Sequence, residues 1–489
     1  MNKFYNLVGY DAKTKDTTLK TELIAGVVTF LAMAYILTVN PNQIFGEGSP
    51  YWASSFIATA LGAIIGTLLM AFVAKMPLAQ ASGMGLNSMV GGMIGGWGGY
   101  GAKFTPGQAF MLVLISGLLF LLLSLIKIKG KTFRELVFDG MPTAVRSAIS
   151  VGIGLFIAFI GFQNAKIIGD DPYVLLSLVN FTAYDVQVAN AAVCFIGLFL
   201  IAILDKANVK GSIIIGILGA AVVGIPLGVT NLSVLSGTEQ VSWRFWENFG
   251  NFFAGENSVF ASFTSVFSEG LIPENMSIFT VIMIVITLCI MDMFDTMGTI
   301  VGCCGGNRVL SDENNKPYNY GKIMLCDSIA TCAGAVLGTS TVTTFVESGA
   351  GVSAGGRTGL TAFATACMFF LAIFIMPVFA AIPSAAAASA LVYVGVLMMK
   401  NNVKDIDFSD AINATSAFLT VSIMVLSYSI TKGIGAGMVS YTLMSVISYV
   451  VARIKASVKK EEKPAWNVSL VAIVVSVLFC IYFFVPTTF

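Results

Sequence analysis

The sequence predicts an all-α polytopic membrane protein whose fourteen transmembrane segments form a seven-plus-seven inverted repeat. Composition is the first ground: over 489 residues the chain is 56% hydrophobic and only 11% charged, with a mean hydropathy of +0.86, whereas soluble domains carry about 25% charged residues. Apolar runs near the ~20 residues needed to cross a bilayer recur throughout, Phe56 to Ala74, Phe110 to Ile126 and Val188 to Leu204 among them. The count supplies the third ground. Because seven is odd, the second half of a seven-plus-seven chain starts on the opposite side of the membrane, so a duplication would be inverted.

In order, the segments fall at 22–40, 52–74, 81–98, 107–126, 143–164, 187–204, 211–229, 276–301, 322–338, 341–355, 358–380, 384–399, 411–431 and 435–453. A first repeat thus occupies 1–229 and a second 276–453. Residues 454–489 add a basic linker and a further apolar run, Val468 to Val485, read as an appended C-terminal helix. Segments 3 and 10 are unlike the rest. Gln80 to Gly101 (QASGMGLNSMVGGMIGGWGGYG) and Gly338 to Gly359 (GTSTVTTFVESGAGVSAGGRTG) are broken by glycine and hydroxyl residues. Such a pair, in corresponding places of two halves, points to the substrate site of a secondary transporter.

The basic residues test the topology. With a cytoplasmic N-terminus and alternating segments, only Lys103, Lys166, Arg244 and Lys432 of the 27 lysines and arginines lie outside, as the positive-inside rule requires. Lys131 to Met141 reads as a short amphipathic helix on the inner face. Trp243, Phe245, Trp246, Phe249, Phe252 and Phe253 suit either an interfacial element or a small packed outer loop. The polar first twenty residues do not read as a cleaved signal.

Several functions are excluded early. A net charge of +1 leaves no footprint for nucleic acid. There is no histidine, which removes histidine proton relays and Ser-His triads. The eight cysteines show no metal-ligand spacing, Cys303 and Cys304 included, so neither metal nor cofactor is expected and the chain is not expected to be an enzyme.

Acidic residues inside apolar spans carry more. Asp292 and Asp295 lie in LCIMDMFDTMGTIVG, Asp327 in IMLCDSIATCAG and Glu347 in TTFVESGAG. An intramembrane carboxylate costs roughly 2.5–3.5 kcal/mol on insertion scales, so each needs a partner, water or a function. Asp292 and Asp295 share a helix face; hydrogen bonding to a neighbouring helix would equally explain Asp292. Asp295 and Glu347 adjoin the glycine- and threonine-rich breaks, where freed backbone groups are tolerable only in a cavity that binds something. Asn87, Thr343, Thr344 and Ser348 add neutral donors and acceptors. This set suits a flat, polar, uncharged solute, since a simple anion would prefer a basic residue and Arg357 falls at a segment end. For Gly91 to Gly101, close helix packing is an equal alternative.

The stretches ASGMGLNSMV, MDMFDTMGT and GTSTVTTFVESGAGVSAGGRTG, with TFLAMAYILTVNP in segment 1, closely resemble the signatures of the AzgA-like branch of nucleobase permeases, the adenine, guanine and hypoxanthine transporters of the nucleobase–ascorbate transporter group. The likeness spans nearly the whole chain. It implies a proton-coupled purine importer in the plasma membrane, working by alternating access. It also implies a core domain (22–126 and 276–380), a gate domain (143–229 and 384–453), and short strands of segments 3 and 10 crossing at mid-membrane. By position, the resemblance makes Asp295, Glu347, Asn87, Gly85, Thr344 and Phe345 substrate-binding residues and Asp295, Asp327 and Glu347 proton-coupling ones, with Asp292 and Thr29 in support. Related sequences commonly have proline at Ser82 and aromatics at Met89 and Val90. Expected partners are a purine nucleobase and membrane lipid, with a homodimer as the candidate assembly and sodium as the alternative coupling ion. An ion channel and an anion exchanger of the same general architecture are the rival functions.

Overall fold

The computed structural model describes residues 2–11, 16–96, 103–128, 131–132, 140–171, 175–182, 185–209, 211–236, 241–273, 276–304, 309–311, 317–459, 465–466 and 468–484. Among these, nine helices are long and apolar enough to cross a membrane, and they are segments 1, 2, 4, 5, 6, 8, 9, 12 and 14. Segments 7, 11 and 13 form the shorter helices Ser212–Gly224, Gly359–Phe374 and Ala411–Leu426. Segments 3 and 10 are the two broken ones, which completes the fourteen. The appended helix runs Leu470–Phe484.

Local chemistry starts several helices where the sequence expects them. Segment 4 opens on Thr105, whose hydroxyl accepts from the Gln108 amide while the Gln108 side chain reaches back, with Pro106 at the first helical position. Segments 6 and 13 open on Asp185 and Asp410, each accepting two backbone N–H groups. Segment 1 is also interrupted, as Leu19–Met33 followed by Ile36–Phe45. Pro41 has no N–H to offer the Leu37 carbonyl, and 3₁₀-type bonds from Leu37 to Ala34 and Thr38 to Tyr35 tighten the break. Segment 11 breaks between Phe374 and Met376, next to Pro377, and Thr38 donates across to the Phe379 carbonyl at 3.3 Å. The interrupted segments 1 and 11, from opposite halves, are thus joined near their breaks.

Segment 3 is a strand, Gln80–Ser82, then a helix, Met84–Gly95; segment 10 is a strand, Val342–Thr344, then a short helix, Ser348–Ser353. The two strands pair antiparallel with Gln80 opposite Thr344, Ala81 opposite Thr343 and Ser82 opposite Val342. Bonds from Gly83 N–H to the Thr341 carbonyl and from Phe345 N–H to the Ala79 carbonyl extend the ladder at both ends. β-Branched Val342, Thr343 and Thr344 favour the extended backbone. Equivalent elements of two inverted halves meet head to tail in this way about a two-fold axis in the membrane plane.

Helix contacts concentrate in two groups. Segment 4 packs on 9 and 8, segment 11 on 1 and 2, and segment 10 on 1; separately, segment 12 packs on 5 and 6, segment 13 on 5 and 14, and segment 7 on 6. Glycine permits several close approaches. A Cβ at Gly91 would lie 2.1 Å from the Gln43 carbonyl oxygen, and one at Gly359 2.1 Å from that of Ala71. Gly91 therefore serves packing. Replacing it with alanine forces backbone apart, and overpacking of this kind costs about 1–3 kcal/mol, so Gly91→Ala is expected to lower the thermal midpoint of the detergent-solubilised protein, read by fluorescence-detected size exclusion.

Other expectations met a different outcome. Lys131 and Thr132 do not open a helix; they pair as a strand with Lys127 and Ile128, and residues 133–139 lie outside the described residues. So do Trp97 to Gly101 of the glycine run. The aromatic stretch forms a helix, Phe245–Ala254, with Phe252 and Asn248 buried while Trp246 and Phe253 stay exposed, and a second helix, Val259–Glu269, follows it. Val259 N–H donates to Ser54 at 3.0 Å and Gln108 donates to the Gly270 carbonyl at 3.1 Å, which fastens the pair to segments 2 and 4. A hairpin, Ile168–Asp171 with Leu175–Leu178, joins segments 5 and 6 and was not anticipated.

Candidate functional site

The strand crossing gathers the intramembrane acids. Glu347 directly precedes the short helix of segment 10 and is 7% exposed. Its Oε1 accepts a hydrogen bond of 2.6 Å from the Tyr35 hydroxyl, which comes from the break in segment 1. Tyr35 is 1% exposed, and its oxygen also lies 3.7 Å from Met84 Sδ at the start of the segment 3 helix. Asp295 arrives from segment 8, partly buried, and is within electrostatic reach of both Glu347 and Asp327. Asp295 Oδ2 lies beside Gly83 at the strand end, within ordinary contact distance (3.5 Å) of where a Cβ would stand, and a Cβ there would press on Thr343 at 2.8 Å, so the glycine serves the close crossing of the strands. Among the described residues none donates a hydrogen bond to Asp295, in contrast to its three acidic neighbours.

Asp327 is bound to the strands themselves. It is fully buried and accepts from Gln80 Nε2 at 3.0 Å and Thr344 at 3.3 Å on one oxygen, and from Thr296 at 2.8 Å on the other. Gln80 and Thr344 are cross-strand partners, so one carboxylate grips both strands. Thr296 also shares a 2.6 Å hydrogen bond with Thr343. Asp292 accepts from Thr331 of segment 9 at 3.0 Å, an interhelical bond.

The remaining expected residues divide. Asn87 is fully buried; its amide donates to the Ser82 carbonyl at 3.4 Å and its oxygen accepts from Ser340, so it joins the segment 3 helix to the approach of segment 10. Gly85 faces Ile153 of segment 5 and Ile430, the first residue of the helix Ile430–Lys459 that carries segment 14 and begins a few residues earlier than the sequence predicts, and an added Cβ would meet Ile153 at 2.9 Å. It lies where the two packing groups touch. Thr344 spends its hydroxyl on Asp327, and Phe345, 4% exposed, continues the strand pairing through its backbone. Thr29 donates to the Ala25 carbonyl at 3.0 Å and abuts Gly351, a Cβ on which would come within 2.0 Å of its hydroxyl. That is packing of segment 1 on segment 10. Ser82 replaces no function by its departure from proline: its hydroxyl bonds Thr339 at 2.7 Å, and Thr339 accepts from Asn40 at 2.9 Å. Met89 and Val90 are buried.

Sequence reasoning missed two residues. Tyr35 carries no signal in an apolar run, because its partner is brought to it only by the crossing. Glu22, fully buried, accepts from the backbone N–H groups of Arg357 and Thr358 at 3.0 and 3.3 Å and from Thr361 at 2.5 Å, locking segment 1 to the start of segment 11. Arg357 itself donates to the carbonyls of Val352 and Gly356, at 2.6 and 2.8 Å.

A buried antiparallel crossing of two broken segments, with carboxylates at its ends, is the architecture of a membrane transporter rather than of an enzyme. The chain belongs to the Permease family: the model Xan_ur_permease matches residues 20–436. It is similar to the guanine/hypoxanthine permease PbuO of Bacillus subtilis, 34% identical over 89% of this chain and 93% of that protein. It is likewise similar to the adenine permease AdeP of Escherichia coli, 33% identical over 88% of each. Among solved structures, the transmembrane domain of the cyanobacterium bicarbonate transporter BicA has a TM-score of 0.55 at 15% identity, covering 86% of this chain and 97% of that one. The last likeness shows the seven-plus-seven fold alone. The motif resemblance to the nucleobase permease group agrees with the first three.

Proposed function

We propose that this permease imports purine nucleobases across the plasma membrane by proton symport, with the N-terminus in the cytoplasm. The observation that carries the reading is the pair Glu347 and Asp295 at the strand crossing, one held by Tyr35 and the other without a donor among the described residues. Purines present N–H donors next to carbonyl or ring-nitrogen acceptors at a flat edge, so ionised Glu347 accepts from those donors by charge-assisted hydrogen bonds while Asp295, carrying the coupled proton, donates to an acceptor beside them. The relatives named as guanine/hypoxanthine and adenine permeases support the substrate class. An anion exchanger on the same fold is disfavoured, because two carboxylates repel an anion at close range.

Segments 1–4 and 8–11 act as the core and segments 5–7 and 12–14 as the gate, in line with the two packing groups. Core and gate slide at contacts such as Gly85 on Ile153, exposing the crossing to each side in turn. Asp295 is the assigned proton carrier. The test is uptake of labelled hypoxanthine in cells lacking their own purine transporters, competed by adenine, guanine, xanthine and uracil, with and without a proton uncoupler. Saturable uptake, competed by purines and collapsed by the uncoupler, is expected. Conduction without saturation would favour a channel, and uptake that follows sodium would replace the proton.

A further inference from the structure

We propose that the helix Phe245–Ala254, in the connection between segments 7 and 8, is an interfacial anchor whose exposed aromatic face lies in the headgroup layer of the bilayer, with lipid as the partner that covers it. The surface is separate from the strand crossing, and nothing in the proposal depends on which solute is carried.

The helix has three sides. Asn248 and Phe252, one turn apart, are buried, and Phe252 meets Phe260 of the following helix at 5.8 Å between ring centroids. Glu247, paired with Arg244 at 3.1 Å, and Asn251 make a polar side. Trp246, Phe249 and Phe253, at positions i, i+3 and i+7, share the third side. There Trp246 is 60% and Phe253 52% exposed. An apolar stripe flanked by a polar one on an uncovered helix is the pattern of a helix lying in a membrane interface, and tryptophan is enriched at that depth. The next helix, Val259–Glu269, is built differently. Besides Phe267 it exposes Thr264, Ser268 and Glu269, so its outward side is mostly polar.

A run of rings joins the aromatic face to the membrane-spanning surface. Phe370 and Phe374, one turn apart at the end of segment 11, lie 5.3 Å apart between centroids; Phe374 meets Phe245 edge-on at 4.9 Å, and Phe245 meets Trp246 at 5.3 Å. On this side of segment 11 Cys367, Phe370, Leu371 and Ile375 are exposed, and an uncovered apolar stripe along a span faces lipid. Trp246, Phe249 and Phe253 therefore continue a lipid-facing surface past the end of the span, to the level where headgroups begin. The bonds to Ser54 and from Gln108 fasten the two connecting helices to segments 2 and 4. The anchor thus holds the ends of segments 2, 4 and 11, all in one packing group, at the bilayer surface, which is the outer one in the orientation proposed above.

Tryptophan fluorescence of the full chain in phosphatidylcholine vesicles tests this, with lipids brominated high on the acyl chain as one quencher and acrylamide in the water as the other. The unaltered protein is compared with Trp246→Phe, a conservative change at an exposed position. The emission that disappears in the variant belongs to Trp246; brominated lipid should remove most of it, and acrylamide little. Adding Phe253→Trp to the Trp246→Phe chain should restore emission quenched by the lipid, whereas adding Asn251→Trp, on the polar side, should give emission quenched by acrylamide. Trp246 emission open to acrylamide and insensitive to the lipid would overturn the anchor and leave the helix in water. Emission insensitive to both would replace lipid with protein, a second copy of this chain being the first candidate. Equal lipid quenching at positions 251 and 253 would overturn the assignment of the face.

Discussion

Glu347→Ala is expected to abolish purine uptake while the protein still accumulates in the membrane. The backbone at this position is ordinary right-handed helix, φ −61° and ψ −17°, so alanine fits without strain. Its structural cost is the Tyr35 hydroxyl left without its acceptor, about 1–3 kcal/mol for a buried group. Its functional cost is larger. A charge-assisted hydrogen bond contributes about 1.5–3 kcal/mol, so losing two of them, about 3–6 kcal/mol, lowers apparent affinity by roughly a hundredfold to ten-thousandfold. Glu347→Gln separates the two effects. Glutamine keeps a carbonyl for Tyr35 but turns an N–H₂ toward substrate N–H groups, so it should fold as the unaltered protein does and still fail to transport. Membrane abundance by immunoblot and initial uptake rate, measured on the same cells, decide the matter. Normal uptake by either variant would sink the assignment.

The fold was legible because spans are long in sequence and cheap to recognise, and because their breaks are chemically marked. Glycine and threonine at residues 80–96 and 338–359 announced that the backbone does not run as plain helix. The register of the crossing was not legible. Gln80 and Thr344 become partners only when the two halves interleave, and no local periodicity encodes that. The same holds for Tyr35, an aromatic residue indistinguishable from core until Glu347 is placed on it. Glu22 was overlooked for a different reason. It stands at the first residue of its span, where a carboxylate is ordinarily solvated, yet it is buried by the start of segment 11. Asn87 is a different case: a polar residue in an apolar segment invites a ligand, and the structure also gives it Ser82 and Ser340 as partners inside the protein. Buried polar groups find partners inside the protein before they are available to solutes.

Asp327→Ala and Asp327→Asn should part company, and the difference says what the carboxylate is for. Alanine removes the acceptor for Gln80, Thr344 and Thr296 at once, all of them buried. Gln80 can still donate to Thr344 and Thr296 to Thr343, so the loss is the stranded Thr344 hydroxyl, about 1–3 kcal/mol, together with the cavity left by the missing carboxylate, against a total stability of roughly 5–15. Asp327→Ala is therefore expected to deplete folded protein, seen as lost monodisperse signal on size exclusion. Asparagine is milder. Its oxygen can face Gln80 and Thr344, and its N–H₂ can donate to Thr296, whose hydroxyl can in turn donate to Thr343 because either threonine of that pair can be the donor. The strands stay gripped without a charge. If Asp327 acts as scaffold, Asp327→Asn retains uptake that the uncoupler collapses, while Asp295→Asn, changing a carboxylate that no described residue holds, loses it. The opposite pattern would move the coupled proton from Asp295 to Asp327, the carboxylate bound to the strands.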